Sequence, residues 1–209
     1  MWGSEAERAA FAGLYPLFYG SQEECNYAKG IKKIKKLAEC GYVPAICELG
    51  IAYFDHLGVH RDYKESFKYY MMAAREGYPS AECGVGNFYA IVIPKHDVCP
   101  YDPAKATEWW LKAAENGNAG AQCNLAGHYL SGTGVPKNPT DAYIWGTMAL
   151  HCSSIRFRSA EVFRDQALTL LNEEQVAAAN VRLEKLKQYL PYAWSDHLTY
   201  WQGLYQQLR

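Results

Sequence analysis

No stretch of this sequence approaches the roughly 20 consecutive apolar residues that a helix needs to cross a bilayer, so no integral membrane segment is expected. Charge of one sign is missing too. With 21 Lys and Arg against 22 Asp and Glu the net charge is −1, and no global positive field exists to recruit nucleic acid or an anionic membrane. The opening residues Met1-Trp2-Gly3-Ser4-Glu5-Ala6-Glu7-Arg8 lack a basic stretch followed by an apolar one, so no secretory signal is visible. A chain that had lost such a signal would read the same, and it would then be expected in the periplasm rather than the cytoplasm. Charged residues make up 21% and hydrophobic ones 49%, which fits an ordered chain and argues against long disorder.

What is present is a repeated phrase. Ala45-Ile46-Cys47-Glu48-Leu49-Gly50-Ile51-Ala52-Tyr53 returns 36 residues later as Ala81-Glu82-Cys83-Gly84-Val85-Gly86-Asn87-Phe88-Tyr89. It returns again, 40 residues on, as Ala121-Gln122-Cys123-Asn124-Leu125-Ala126-Gly127-His128-Tyr129. A period of this size marks a stack of supersecondary units, each too small to bury its own apolar face. Within a unit the pattern is helix, glycine-rich loop, helix, short turn. Ala45, Leu49 and Tyr53 fall on one helical stripe. Gly50 sits beside it, where a missing side chain lets a neighbouring helix come close. Asp62, Asp102 and Asn138 stand where a second helix begins, and a side-chain oxygen there can satisfy orphan amides. Gly77 and Gly117 follow as stops, with Gly41 in register before them.

Going back one period, Ala28 to Glu39 reads as the second helix of a degraded N-terminal unit. Its first helix is expected within Glu5 to Tyr19, with its end left open by Pro16. Beyond Cys152 the period is lost. Ser159 to Leu171 reads as a helix, and Asn172-Glu173-Glu174-Gln175 as a capping-box start to a long helix reaching about Gln188. Ser195 can cap a last amphipathic helix carrying Leu198, Trp201, Leu204, Tyr205 and Leu208. The expected organisation is a repeat array over 1–152, with units at 5–41, about 42–77, 78–117 and 118–152. Capping helices of the same domain follow over 153–209.

Seven cysteines leave at least one unpaired within the chain. Equivalent cysteines of adjacent units should sit about 9–10 Å apart, beyond the ~7 Å limit for a disulfide, so Cys47, Cys83 and Cys123 read as small buried hydrophobes. Cys40 and Cys47, flanking a tight turn, are the alternative candidates for a local bridge. His56 and His60 have metal-like spacing only if helical, and Gly58 between them removes that geometry. His96 with Cys99, or His151 with Cys152, lacks a third orienting group for a thiol nucleophile. Gly132-Thr133-Gly134-Val135-Pro136-Lys137 lacks the spacing and the preceding strand of a phosphate loop. No catalytic residue, metal site or cofactor is expected.

Several of these residues together resemble the Sel-one-like repeat family, relatives of the tetratricopeptide repeats, over roughly residues 25 to 190. The third unit carries Gly132-Thr133-Gly134-Val135 and Asp141-Ala142-Tyr143-Ile144-Trp145. The second carries Asp102-Pro103-Ala104-Lys105-Ala106-Thr107-Glu108-Trp109 and then Ala113-Ala114-Glu115-Asn116-Gly117. The tail from Asp141 through Ala179 is similar to the ending of many bacterial members. Two departures stand out: the second unit lacks the G-x-G-V loop, and Ala126 replaces the glycine of the third. The resemblance implies an all-α, right-handed solenoid of stacked antiparallel helix pairs, a tetratricopeptide-like superhelix with C-terminal capping helices. It also implies a non-enzymatic scaffold that holds another protein on a concave surface. Similar bacterial chains include immunity proteins against toxins delivered by type VI secretion, phospholipases among them. A cognate toxin is the leading expected partner, and an adaptor or envelope-associated regulator is the alternative.

By analogy with tetratricopeptide helices, the concave positions are Cys47, Ile51 and Phe54, then Cys83, Asn87 and Ala90, then Cys123, Gly127 and Leu130. Ile51 and Phe54 could form an apolar anchor, or inter-repeat packing could consume them. From Tyr89 to Trp109 the second unit is four residues longer than its counterparts, and the excess lies around Ile91 to Pro100. Insertions in repeat proteins map to loops on one face, often a binding face, although neutral insertions are also tolerated. The expected partner-binding set is therefore Ile51, Phe54, Asn87 and Leu130, with Lys95, His96 and Asp97 from the long loop and Trp109 beside it. Lys29, Lys32, Lys33, Lys35 and Lys36 alternate with a buried stripe of Ile31, Ile34 and Ala38. They read as a solvated face, or as a basic patch for an acidic toxin or anionic lipid.

Overall fold

A computed structural model describes residues 2–22, 25–91, 98–152 and 158–189. All regular elements among them are helices. They are α1 (Glu5–Ala12), α2 (Tyr15–Tyr19), α3 (Tyr27–Glu39), α4 (Val43–Asp55), α5 (Tyr63–Arg75), α6 (Pro79–Ala90), α7 (Pro103–Glu115), α8 (Ala119–Ser131), α9 (Pro139–Cys152), α10 (Arg158–Leu168) and α11 (Glu173–Tyr189). The chain is an all-α solenoid. The pairs α4/α5, α6/α7 and α8/α9 stack in sequence, with α3 before them and α10 and α11 closing the far end.

Helix starts follow the expected chemistry. Asn26, Asp62 and Asp102 each accept from first-turn amides of α3, α5 and α7, at 3.0, 2.9 and 3.0 Å. Asn172 and Gln175 form the reciprocal capping pair at the head of α11: Gln175 N donates to Asn172 Oδ1 and Asn172 N to Gln175 Oε1. Pro16 does not terminate a single first helix. The break comes at Gly13 and Leu14, and Pro16 falls in the first turn of α2, where its missing N–H has no helical partner to lose. The last helix expected from Ser195 lies outside the described residues.

The core explains the small residues of the repeat. Tyr70 of α5 is wedged between two first helices; a Cβ placed on Gly50 of α4 would stand 3.0 Å from its ring, and one on Gly84 of α6 2.7 Å. In the second unit Gly86 lies under Trp110 in the same way, a Cβ there meeting the indole at 2.5 Å. The third unit exchanges the sizes. Ala126 takes the glycine position and Gly146 takes the place held by Tyr70 and Trp110, so the second helix gives up the ring that the first no longer admits. The vacated space receives α10: a Cβ on Gly146 would stand 3.1 Å from Arg164 Cβ, and one on Gly127 3.2 Å from the Phe163 ring. Helix α11 lies along the other side of α9. Asp141 pairs with Arg182 at 2.9 Å, and the Tyr143 hydroxyl donates to Asn180 at 2.9 Å.

Candidate functional site

The two layers of the solenoid present different surfaces. On the first-helix side α4 touches α6 across the repeat boundary, and α10 folds over α8. On the second-helix side α3 and α5 stand apart across a cleft.

The first-helix side carries the expected partner-binding column. Ile51, Asn87 and Leu130 are half-buried and partly open. Asn87 is tied into the fold: its Oδ1 accepts from Trp110 Nε1 at 3.1 Å and from Asn124 Nδ2 at 3.0 Å, which links the second unit to the third. Next to this network Thr107 Oγ1 donates to the Pro103 carbonyl and lies 2.9 Å from His128 Nδ1, whose ring packs edge-on to Trp110. Burial holds His128 below its ordinary value, which favours the neutral imidazole. Phe54 is half-buried and packs edge-on against Tyr63 and Phe88; with Phe67 and Tyr70 it forms a shell round Phe88. Its ring packs both within the first unit and onto the second. Gly127 lies beneath Phe163, so the column is covered in the third unit.

Trp109 stands apart from these residues, in the second-helix layer. Its ring carries the Lys112 ammonium 4.3 Å from the centroid. The same motif recurs with Lys105 over Tyr89 at 4.8 Å and Lys68 over Tyr69 at 5.3 Å. Lys95, His96 and Asp97 lie outside the described residues.

Polar groups that sequence reasoning passed over sit inside the stack. Glu48, Glu82 and Gln122 are buried. Tyr19 donates to Glu48 Oε1 at 3.3 Å, and its hydroxyl is pushed up by burial and then by the Glu48 charge. Glu82 Oε2 has no hydrogen-bond partner; burial raises this carboxyl, with the Lys112 charge opposing. Gln122 Nε2 donates to the Ala114 carbonyl at 3.2 Å. Glu82 and Gln122 occupy the place of Ile46 in the repeat, and only the alignment of the phrase marks them as buried.

The described cysteines are all free, Cys40 and Cys47 included, so the local bridge does not form. Burial pushes the Cys83 thiol up to about 12 and raises Cys47, Cys99, Cys123 and Cys152. These thiols are protonated at neutral pH and poor nucleophiles. The His56 and His60 rings lie 6.0 Å apart in the loop after α4, where His56 adopts a left-handed conformation. Among the described residues no group of three His, Cys, Asp or Glu is placed to hold a metal, and no helix is long and apolar enough to cross a membrane.

The comparisons with known proteins match this arrangement. Chitin synthase regulatory factor 3 of Schizosaccharomyces pombe is 32% identical over 99 residues, covering 46% of this chain and 10% of that protein. The chain spans about a tenth of the length of the curated relatives it matches. Among solved structures, the protective antigen c5321 of uropathogenic Escherichia coli, which displays an SLR fold, superposes with a TM-score of 0.71 at 24% identity, over 98% of this chain and 42% of that one. A Sel1 repeat protein from Oxalobacter formigenes superposes with a TM-score of 0.59 at 21% identity, over 99% of this chain and 89% of that one. The Sel1 repeat itself matches residues 43–78, 79–118 and 119–152, the three units that the helix pairs define. With more than half of its residues in these matched units, the chain belongs to the Sel1 repeat family.

Proposed function

We propose that this protein is an immunity protein, holding a cognate secreted bacterial toxin on the first-helix face of its repeat stack. As a Sel1 repeat protein it is a non-enzymatic protein–protein interaction module. The finer reading rests on the resemblance to bacterial immunity proteins of this repeat type. The observation that carries it is the partly open column of α4 and α6. There Ile51 offers an apolar contact and Asn87 and Asn124 a fixed amide pair, and Phe163 closes the column at Gly127. Rigid, pre-ordered groups of this kind lose little conformational entropy on binding. Within this reading Ile51, Phe54, Asn87 and Leu130 meet the partner from the helices. Lys95, His96 and Asp97 meet it from the long loop, and Trp109, in the second-helix layer, is reached where the partner wraps round the edge of the stack. The repeat array runs to Cys152, and the helices beyond it close the stack.

The test is rescue of bacterial cells poisoned by a candidate toxin, any phospholipase encoded beside this gene being the first to try. The chain should rescue growth, and Ile51→Asp with Leu130→Glu should abolish rescue at unchanged protein level. Rescue by that double variant equal to wild type would refute the site. Failure of the unaltered chain to bind any neighbouring toxin would refute the immunity role. A second reading, a regulator that holds a different protein, is favoured by one finding: the relative from Schizosaccharomyces pombe is itself described as a regulatory factor.

A further inference from the structure

The cleft between α3 and α5 opens on the second-helix side of the stack. It has a volume of about 470 Å³, with Ile46 and Leu49 of α4 as its floor, Ala38 on one wall and Tyr69 and Met72 on the other. In the next two units the place of Ile46 is taken by the buried polar residues Glu82 and Gln122. Met72 is 42% exposed, a large apolar side chain left facing water at the rim.

The rim is basic. Lys35 and Lys68 flank the cleft, near a stacked pair of rings, Tyr53 and Tyr69, whose centroids are 5.7 Å apart. Lys35 lies 6.0 Å from the Tyr53 centroid and Lys68 5.3 Å from that of Tyr69. Lys68 also pairs with Glu65 at 3.0 Å, an exposed pair of the kind that salt screens and a competing carboxylate displaces. Behind Lys35, Lys29, Lys32, Lys33 and Lys36 are exposed along α3, and none of the five makes an ion pair with a described residue. Glu39, at the end of α3, is the acidic residue among those lining the cleft.

We infer that this cleft is a docking groove for an acidic amphipathic helix of a partner protein, its apolar face on Met72, Tyr69 and Ala38 and its carboxylates on Lys35 and Lys68. Shape and charge select this occupant together. The lining side chains run from Lys35 to Glu39 on α3 and from Lys68 to Met72 on α5, about one turn of each helix, so the cleft takes the one or two apolar side chains that a crossing helix presents. Leu49 and Ile46 are buried beneath the cleft, so its accessible apolar contact is Met72 at the rim, beside Tyr69 and Ala38. A flat bilayer would meet the lysines before the floor, whereas a helix can lower leucines between them. Ile46 and Ile51 are five residues apart on α4, about 140° round the helix, so the groove and the first-helix column face different ways. The inference rests on the chain being a protein-binding scaffold and does not require that its partner be a toxin.

The test uses the full chain and a fluorescein-labelled helical peptide of about 15 residues, with leucines at i, i+4 and i+7 flanked by glutamates. A counterpart with lysines for glutamates and vesicles of phosphatidylcholine with phosphatidylglycerol serve as competing probes. The acidic peptide should bind and the basic one should not, and added salt should weaken binding. Lys35→Glu with Lys68→Glu should lower affinity for the acidic peptide about tenfold or more and gain affinity for the basic one. Met72→Glu should also weaken binding without changing the thermal melt. Absence of binding, equal binding to the variants, or lysine-dependent co-sedimentation with vesicles in its place would overturn the groove. The toxin rescue reads separately. Rescue without peptide binding removes the groove and leaves the immunity reading, and peptide binding without rescue does the reverse.

Discussion

Glycine against ring is the residue-scale contact on which the stack depends. Gly84 sits in the interior of α6, where an alanine would ordinarily add about 1 kcal/mol of helix propensity. Here the new methyl would stand 2.7 Å from the Tyr70 ring, which two first helices hold in place. Overpacking of this kind costs about 1–3 kcal/mol and exceeds the propensity gain. Gly84→Ala should therefore lower the urea midpoint, and an unchanged or raised midpoint would show that the ring moves freely. Glu82 gives a pH-dependent counterpart. Its folded-state pKa lies above the ordinary 4.5, so the carboxyl favours the fold when protonated. That contribution is complete below about pH 4.5 and is lost as pH rises through the folded-state value. Glu82→Gln should stabilise the protein by about 1 kcal/mol at pH 7, with the advantage gone in melts at pH 4.

At the scale of the helix, the second helices start on side-chain caps and the first helices are laid down by glycine-terminated turns. Asp62 accepts from the amides of both Lys64 and Glu65, and Asp62→Ala should cost about 1 kcal/mol by chemical denaturation. Much at this scale was legible in the sequence. The stripe Ala45/Leu49/Tyr53, the caps at Asp62 and Asp102 and the N-E-E-Q start of α11 are local patterns, and local patterns are what a sequence displays. The split of the first helix at Gly13 was harder to read, because Pro16 suits a helix start as well as a stop. The exchange of Ala126 with Gly146 was half visible: the alanine stood out as a departure, but its reason lies on a helix 20 residues away. The covering of Gly127 by Phe163 is tertiary and left no local sign. Among the site residues, Ile51 and Asn87 fall on one column as the repeat register implies. Trp109 belongs to the other layer, and Phe54, half-buried, also packs in the cluster round Phe88.

As a whole, the molecule is a scaffold with a first-helix face and a basic second-helix cleft, and its sulfur chemistry is suppressed by burial. Native protein should react with a thiol reagent at the exposed Cys40 first, with Cys47, Cys83 and Cys152 silent on that timescale. Unfolding without reductant should release seven thiols, and five would indicate a disulfide. The claim that matters most is that the α4/α6 face holds a protein. Calorimetric titration of the purified chain with the candidate toxin of the growth assay tests it most directly. A one-to-one complex weakened at least a hundredfold by Ile51→Asp, with an unchanged melting temperature, is the expected result. No binding, or an Ile51→Asp variant that titrates like wild type, would contradict it.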